Sequence, residues 1–149
     1  MKAWGLRRHG GCCFCTTSSE TTQHVIQCMA AEATDRWEEA FTKYANDLSK
    51  IGTSTILKHI ILKELHHWQY KIPPTDKSTL TLDLQVLINQ QQRIGWKNFL
   101  EGVICTSWMT TQQKYKPARF NLAKAQIWAK CLIKLNWSLL TTIWKHRND

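Results

Sequence analysis

The sequence predicts a mainly α-helical chain: a bundle of about five helices behind a short cysteine-rich N-terminal segment. Three observations point there. Apolar residues recur at alternating spacings of three and four over most of the chain, the period of a helix with one buried face. Only six Gly and three Pro occur in 149 residues, too few for a loop-rich or disordered chain. The one pronounced break is Ile72-Pro73-Pro74-Thr75-Asp76-Lys77-Ser78, which is short for a linker and reads as a connection between helices. The length suits one domain with a core of its own. Two parts are expected within one compact unit, 1–29 and 30–149.

The first long helix is expected over 30–50. Trp37, Phe41, Tyr44, Leu48 and Ile51 form its stripe. Such an aromatic stripe reads as core rather than as a base-stacking surface. Glu32, Asp35, Glu38 and Glu39 lie near its start, where the helix dipole favours acids. Gly52 ends it, and Thr53, Ser54 or Thr55 caps the next helix, which runs to about Tyr70. Ile56, Leu57, Ile60, Ile61, Leu65 and Trp68 are its buried face. His59, Lys63, His66 and His67 lie off that stripe and read as surface residues, since no carboxylate or Cys stands at ligand spacing.

After the proline break, Thr79 to Leu84 alternates like a strand, whereas Leu80, Leu84, Leu87, Gln91 and Ile94 fit a helix. The flanking helical signals favour a third helix over 80–101, with Gly95 bending it and Trp96, Phe99 and Leu100 in the core. Gly102 turns the chain into 103–114, where Ile104 and Trp108 face inward, and Pro117 closes that segment. The longest helix is expected over 119–147. Phe120, Ala123, Ile127, Cys131, Leu135, Leu139 and Ile143 define its inner face, widened by Trp128, Trp137 and Trp144. Cys105 and Cys131 sit in apolar context and read as buried thiols.

The N-terminal segment carries the chemistry. Cys12 to Cys28 reads CCFCTTSSETTQHVIQC, which contains C-x2-C-x8-H-x3-C. Three thiolates and an imidazole are the ligand set of a closed tetrahedral Zn2+ site. Cys12 and Cys15 suit a tight turn. His24 and Cys28 are four residues apart and share one helical face. Cys13 reads as a bystander. The alternative is a redox or disulfide pair beside an incidental His, although three crowded cysteines suit disulfide geometry poorly.

Net charge is +9 and uneven. Residues 102–149 hold eight Lys or Arg and one Asp, while 29–52 hold five acids and three bases. The basic surplus suits a polyanion, RNA or DNA. Candidate contacts are Arg7 and Arg8 in the basic arm, Phe14 beside the ligands, and Lys114, Lys116, Arg119, Lys124, Lys130 and Lys134. Each also admits a plain structural reading: a frayed arm, a packed Phe, a solvated lysine face.

Catalysis is not expected. The eleven acids are scattered, with no paired aspartates after a strand, no acidic quartet for two metals and no Walker or nucleophile-elbow motif. Val25 and Ile26 follow His24 where a zinc deaminase needs a Glu. Four protein ligands also leave no open position on the metal. No run of 18 apolar residues and no secretory signal is visible, so an intracellular setting, nuclear or cytoplasmic, is expected.

The pattern CxxC…ETxxHVxxC, on Cys12, Cys15, Glu20, Thr21, His24 and Cys28, resembles the zinc-binding segment that follows the polymerase in non-LTR (LINE-like) retrotransposon reverse transcriptases. The later Ile94-Gly95-Trp96, Phe99-Leu100-Glu101-Gly102, Trp108, Gln112 and Tyr115, then Trp128, Trp144 and Arg147-Asn148, look like the helical tail behind that knuckle. This chain has three residues between His24 and Cys28 where the family commonly has four. The resemblance implies a CCHC knuckle docked on the bundle, with template RNA or target DNA held near a polymerase encoded upstream. The short arm before the motif, and the lack of a stop signal at Asn148-Asp149, read as a piece of a longer polyprotein. Two other readings stand beside this one: a zinc-stapled helical protein-interaction module, and a decayed element fragment without function.

Overall fold

The computed structural model describes residues 22–74, 76–117 and 121–148. Among them there are seven helices and no strand: α1 (Thr22–Gln27), α2 (Ala31–Lys50), α3 (Thr55–Gln69), α4 (Leu82–Ile94), α5 (Trp96–Leu100), α6 (Ser107–Tyr115) and α7 (Leu122–Asn148). The fold is mainly α, as the periodicity predicts. The long last helix is its axis: α7 packs against α1, α2, α5 and α6.

α2 buries Trp37, Ala40, Tyr44 and Leu48, close to the expected stripe. The Trp37 and Phe41 rings stack at 5.1 Å. Gly52, at φ +85°, then closes α2. Its N–H reaches the Ser49 carbonyl (3.0 Å) and the Thr53 N–H reaches Leu48 (3.2 Å), so a left-handed residue satisfies the last carbonyls of the helix. Ser54 caps α3, its side chain accepting the Leu57 N–H at 3.2 Å. Leu57, Ile60, Ile61 and Leu65 are buried beneath. Ile56, expected among them, is 40% exposed. It lies a residue before Leu57, on the flank of a stripe already filled at i, i+3 and i+4.

The ambiguous TLTLDLQVL stretch is helical from Leu82. The single helix expected over 80–101 is two helices. Gly95 adopts φ +106°, ψ 143°, which stops α4 and restarts the chain as α5. The break lets Trp96, Phe99 and Leu100 point into the core together with Trp108 of α6. Phe99 and Trp108 rings lie 5.4 Å apart, and Trp96 meets Trp108 edge-on at 6.4 Å.

The inner face of α7 also differs from expectation. Leu139 and Ile143 are buried, but Ala123 and Ile127 are exposed, and Cys131 and Leu135 only half-buried. Phe120 lies outside the described residues. The buried face is Ala125, Trp128, Ala129, Leu132, Asn136, Leu139 and Ile143. α7 is apolar on several sides, so its sequence period defines a face weakly. The face actually chosen joins a large Trp to two small Ala residues, which suits close packing.

Polar side chains fix the connections. Gln91 Oε1 accepts the Cys105 N–H (3.0 Å) and the Trp108 indole N–H (2.9 Å), while its Nε2 donates to the Val103 carbonyl (3.1 Å). Gln112 grips the turn between α2 and α3: Oε1 accepts the Ser54 N–H (2.9 Å) and Nε2 donates to the Gly52 carbonyl (2.8 Å). Asn136 accepts the Tyr44 hydroxyl (2.6 Å) and donates to the Phe99 carbonyl (2.8 Å). Trp128 donates to the Thr53 hydroxyl at 3.0 Å. All three amide side chains are fully buried. Each spends both ends of its carboxamide, which turns a desolvation penalty into a register constraint.

Candidate metal centre and nucleic-acid interface

α1 and the residue that follows it carry the described half of the expected metal ligands. Its anchor is Ile26, 2% exposed, with Gln27, whose amide donates to the Trp68 carbonyl at the end of α3 (2.6 Å). Gln23 in turn donates to Gln27 at 2.9 Å. These contacts seat the short helix on the bundle. They hold His24 half-buried in its last turn, and Cys28 buried directly after it. The helix ends at Gln27, so Cys28 stands just beyond it rather than within it.

A thiol and an imidazole, both shielded and close in sequence, suit Zn2+ by donor chemistry. Cys12 and Cys15 lie outside the described residues, as do Arg7, Arg8, Phe14 and Arg119. Among the described residues no group of three or more His, Cys, Asp or Glu is placed to hold a metal ion. That covers His59, His66 and His67 on α3. His66 instead packs its ring 4.7 Å from Tyr70.

The candidate lysines fall into two sets. Lys114 and Lys116 stand at the end of α6. Lys114 is paired with Asp83 at 2.9 Å, and its ammonium lies 5.6 Å from the Tyr115 ring centre. The Thr81 hydroxyl, then Lys114 and Tyr115, hold the Asp83 carboxyl down at about 2. The same Asp83 contact raises Lys114. Lys114 thus ties α6 to the first turn of α4.

Lys124, Lys130 and Lys134 are all exposed on α7. At about 100° per residue, Lys130 and Lys134 are neighbours one turn apart, and Lys124 lies about 120° round from Lys130. Lys145 extends the Lys134 row by three turns and is also exposed. The 27 residues of α7 contain no Asp or Glu, so nothing on the helix itself offsets these charges.

Two features of this face were not legible in the sequence. Trp137, read as part of the apolar face, is 51% exposed. Beside Lys130 a groove of about 440 Å3 runs between the start of α6 and α7, lined by Ile104, Cys105, Met109, Ala129 and Ile133 among others. Burial raises the Cys105 thiol in its wall. A second cleft, of about 450 Å3, lies by α1 between Gln23, Gln27 and the Pro73-Pro74 connection. The signal for the first feature was an indole placed two turns after Lys130, on the side of α7 away from Leu132 and Asn136.

No helix among the described residues is long and apolar enough to cross a membrane. Comparison of the chain with protein-family models, curated proteins and solved structures finds no match.

Proposed function

We propose that this chain is a non-catalytic, zinc-dependent nucleic-acid-binding module, of the kind that follows the polymerase in a retroelement polyprotein. The observation that carries the reading is the outer face of α7, where Lys124, Lys130, Lys134 and Lys145 are exposed on a helix without acids. Lys130, Lys134 and Lys145 form a row with Lys124 at its edge, and a row of ammonium groups on a rigid rod suits a phosphate backbone.

In this reading Cys12, Cys15, His24 and Cys28 hold Zn2+. The metal supplies structure, folding the knuckle onto the seat that Ile26 and Gln27 form on the bundle. Arg7, Arg8 and Phe14 then extend the interface from the knuckle side, and Lys116 and Arg119 extend it from the α6–α7 connection.

Two measurements test it. One zinc per purified chain is expected, lost together with part of the folded signal in Cys15→Ser and in His24→Ala; a folded chain without zinc overturns the metal assignment. Anisotropy of a labelled single-stranded oligonucleotide tests the interface. Four lysine–phosphate contacts predict a loss of about fifty-fold in affinity between 50 and 200 mM salt. Binding to a protein partner, with no salt-dependent affinity for any oligonucleotide, selects instead a zinc-stapled protein-interaction module.

A further inference from the structure

Among the described tryptophans Trp137 stands apart. Trp37, Trp96, Trp108 and Trp128 are at most 5% exposed, and Trp68 and Trp144 are half-buried against the core. Trp137 leaves half its surface in water, at 51% exposed. Yet it is not loosely held. Its indole N–H donates to the Glu101 carbonyl at 2.7 Å. The ring edge fills the space that Gly102 leaves by having no Cβ: a Cβ there would meet the Trp137 indole nitrogen at 2.7 Å and Ile133 at 3.1 Å. The chain thus combines a glycine at φ +99°, a carbonyl acceptor and an indole to fix one exposed aromatic surface.

Around it the charge is positive. Lys130 lies two turns earlier on nearly the same line of the helix, and Lys134 about 60° round. The nearby acid, Glu101, is paired with Lys97 at 3.0 Å. Ile133, which lies beside Gly102 as Trp137 does, also lines the groove between α6 and α7, so one side chain separates the indole from the groove.

We propose that Trp137 is a base-stacking platform for single-stranded nucleic acid, with the adjoining α6–α7 groove taking the next base and Lys130 and Lys134 taking phosphates. The inference rests on the nucleic-acid reading above and adds its contact site and its preference for unpaired bases. A pinned aromatic ring offers a π-face that any base can use, and flanking ammonium groups track the backbone. A duplex keeps its bases stacked on one another and has none to offer.

The test uses the full zinc-loaded chain and a single-stranded oligonucleotide carrying a fluorescent adenine analogue, with a duplex of the same sequence beside it. Stacking quenches the analogue. Trp137→Ala should weaken single-strand binding about ten-fold or more, abolish quenching and leave the salt slope unchanged. Trp137→Phe should keep part of both signals. Lys130→Ala with Lys134→Ala should flatten the salt slope instead. Far-UV dichroism of each variant confirms the fold, and partial rescue by Phe separates stacking from a packing loss. Wild-type affinity and quenching in Trp137→Ala, with the lysine variants still impaired, overturns the platform and leaves nucleic-acid binding standing. No binding of either oligonucleotide by the wild-type chain overturns both.

Discussion

Asn136 and Trp137 are neighbours in sequence and opposites in environment. Asn136 is fully buried, and both ends of its amide are used, on Tyr44 and on Phe99. Trp137 is half-exposed, and only its N–H is used. The polar residue is inside and the large apolar one outside, the reverse of the usual preference. The inner face of α7 spends its polarity on other segments, on the Tyr44 and Thr53 hydroxyls and the Phe99 carbonyl, so it specifies how the bundle closes. The outer face leaves its charges and its indole surface for something else. One helix thereby sets a face that closes the bundle against a face left to solvent.

The comparison breaks most sharply at Asn136. Asn136→Leu keeps the branched outline of the side chain, though it is bulkier, and strands the Tyr44 hydroxyl and the Phe99 carbonyl in the core. A loss of about 2–4 kcal/mol is expected, read by urea unfolding as a lower midpoint at unchanged slope. A change near zero would mean that the amide is only packed, not needed. Gly102→Ala comes next, at about 1–3 kcal/mol, since φ +99° disfavours an L side chain and the new methyl pushes on Trp137. Its distinguishing mark is a shift in tryptophan emission, which Gly95→Ala should not produce to the same degree.

The smallest effect concerns the Asp83–Lys114 pair. Asp83 is held down at about 2, so its contribution is complete above the ordinary carboxylate value and is lost as pH falls through about 2. Lys114 is held up, so its share is complete below the ordinary lysine value and is lost as pH rises through the raised one. Melting temperatures of wild type and Asp83→Asn should converge at the acid limit and differ slightly at neutral pH. A gap that persists unchanged at pH 2 would remove the pair from the account. A lysine so engaged is also a poorer phosphate ligand than Lys130 or Lys134, which sharpens the contrast between the two lysine sets.

Much of the fold was legible because aromatic and aliphatic residues repeat cleanly in α2 and α3. Trp37, Tyr44, Leu57, Ile61 and Leu65 are where the period places them. Gly52 and Ser54 mark the turn between those helices by chemistry that a sequence displays directly. Gly95 was visible as an irregularity, but a glycine in a helical pattern does not announce whether it bends the helix or stops it. Gln91 lay on the stripe of Leu84 and Leu87, yet composition says nothing of what its amide would grip. α7 was misread because Ile127 and Leu132 are equally apolar in sequence and only the surrounding helices distinguish them. The candidate site was legible only as residue types, lysines in the last helix and a Cys and His spacing near the N-terminus. Trp137 was not, because exposure depends on where Glu101 and Gly102 come to lie, 36 and 35 residues upstream.

The grip of Gln112 on Gly52 and Ser54 has a dynamic consequence. Connections between helices are ordinarily the first parts of a domain to open, and their amides exchange hydrogen with water long before those of the core. Here the Ser54 N–H is held by a side chain 58 residues away, and the Cys105 N–H by one 14 residues away. Both acceptors are fully buried. Releasing either amide requires α4 or α6 to leave its place, which amounts to opening the bundle. These two loop amides should therefore exchange as slowly as the interior of α3, and mark the joints of this chain as part of its cooperative unit.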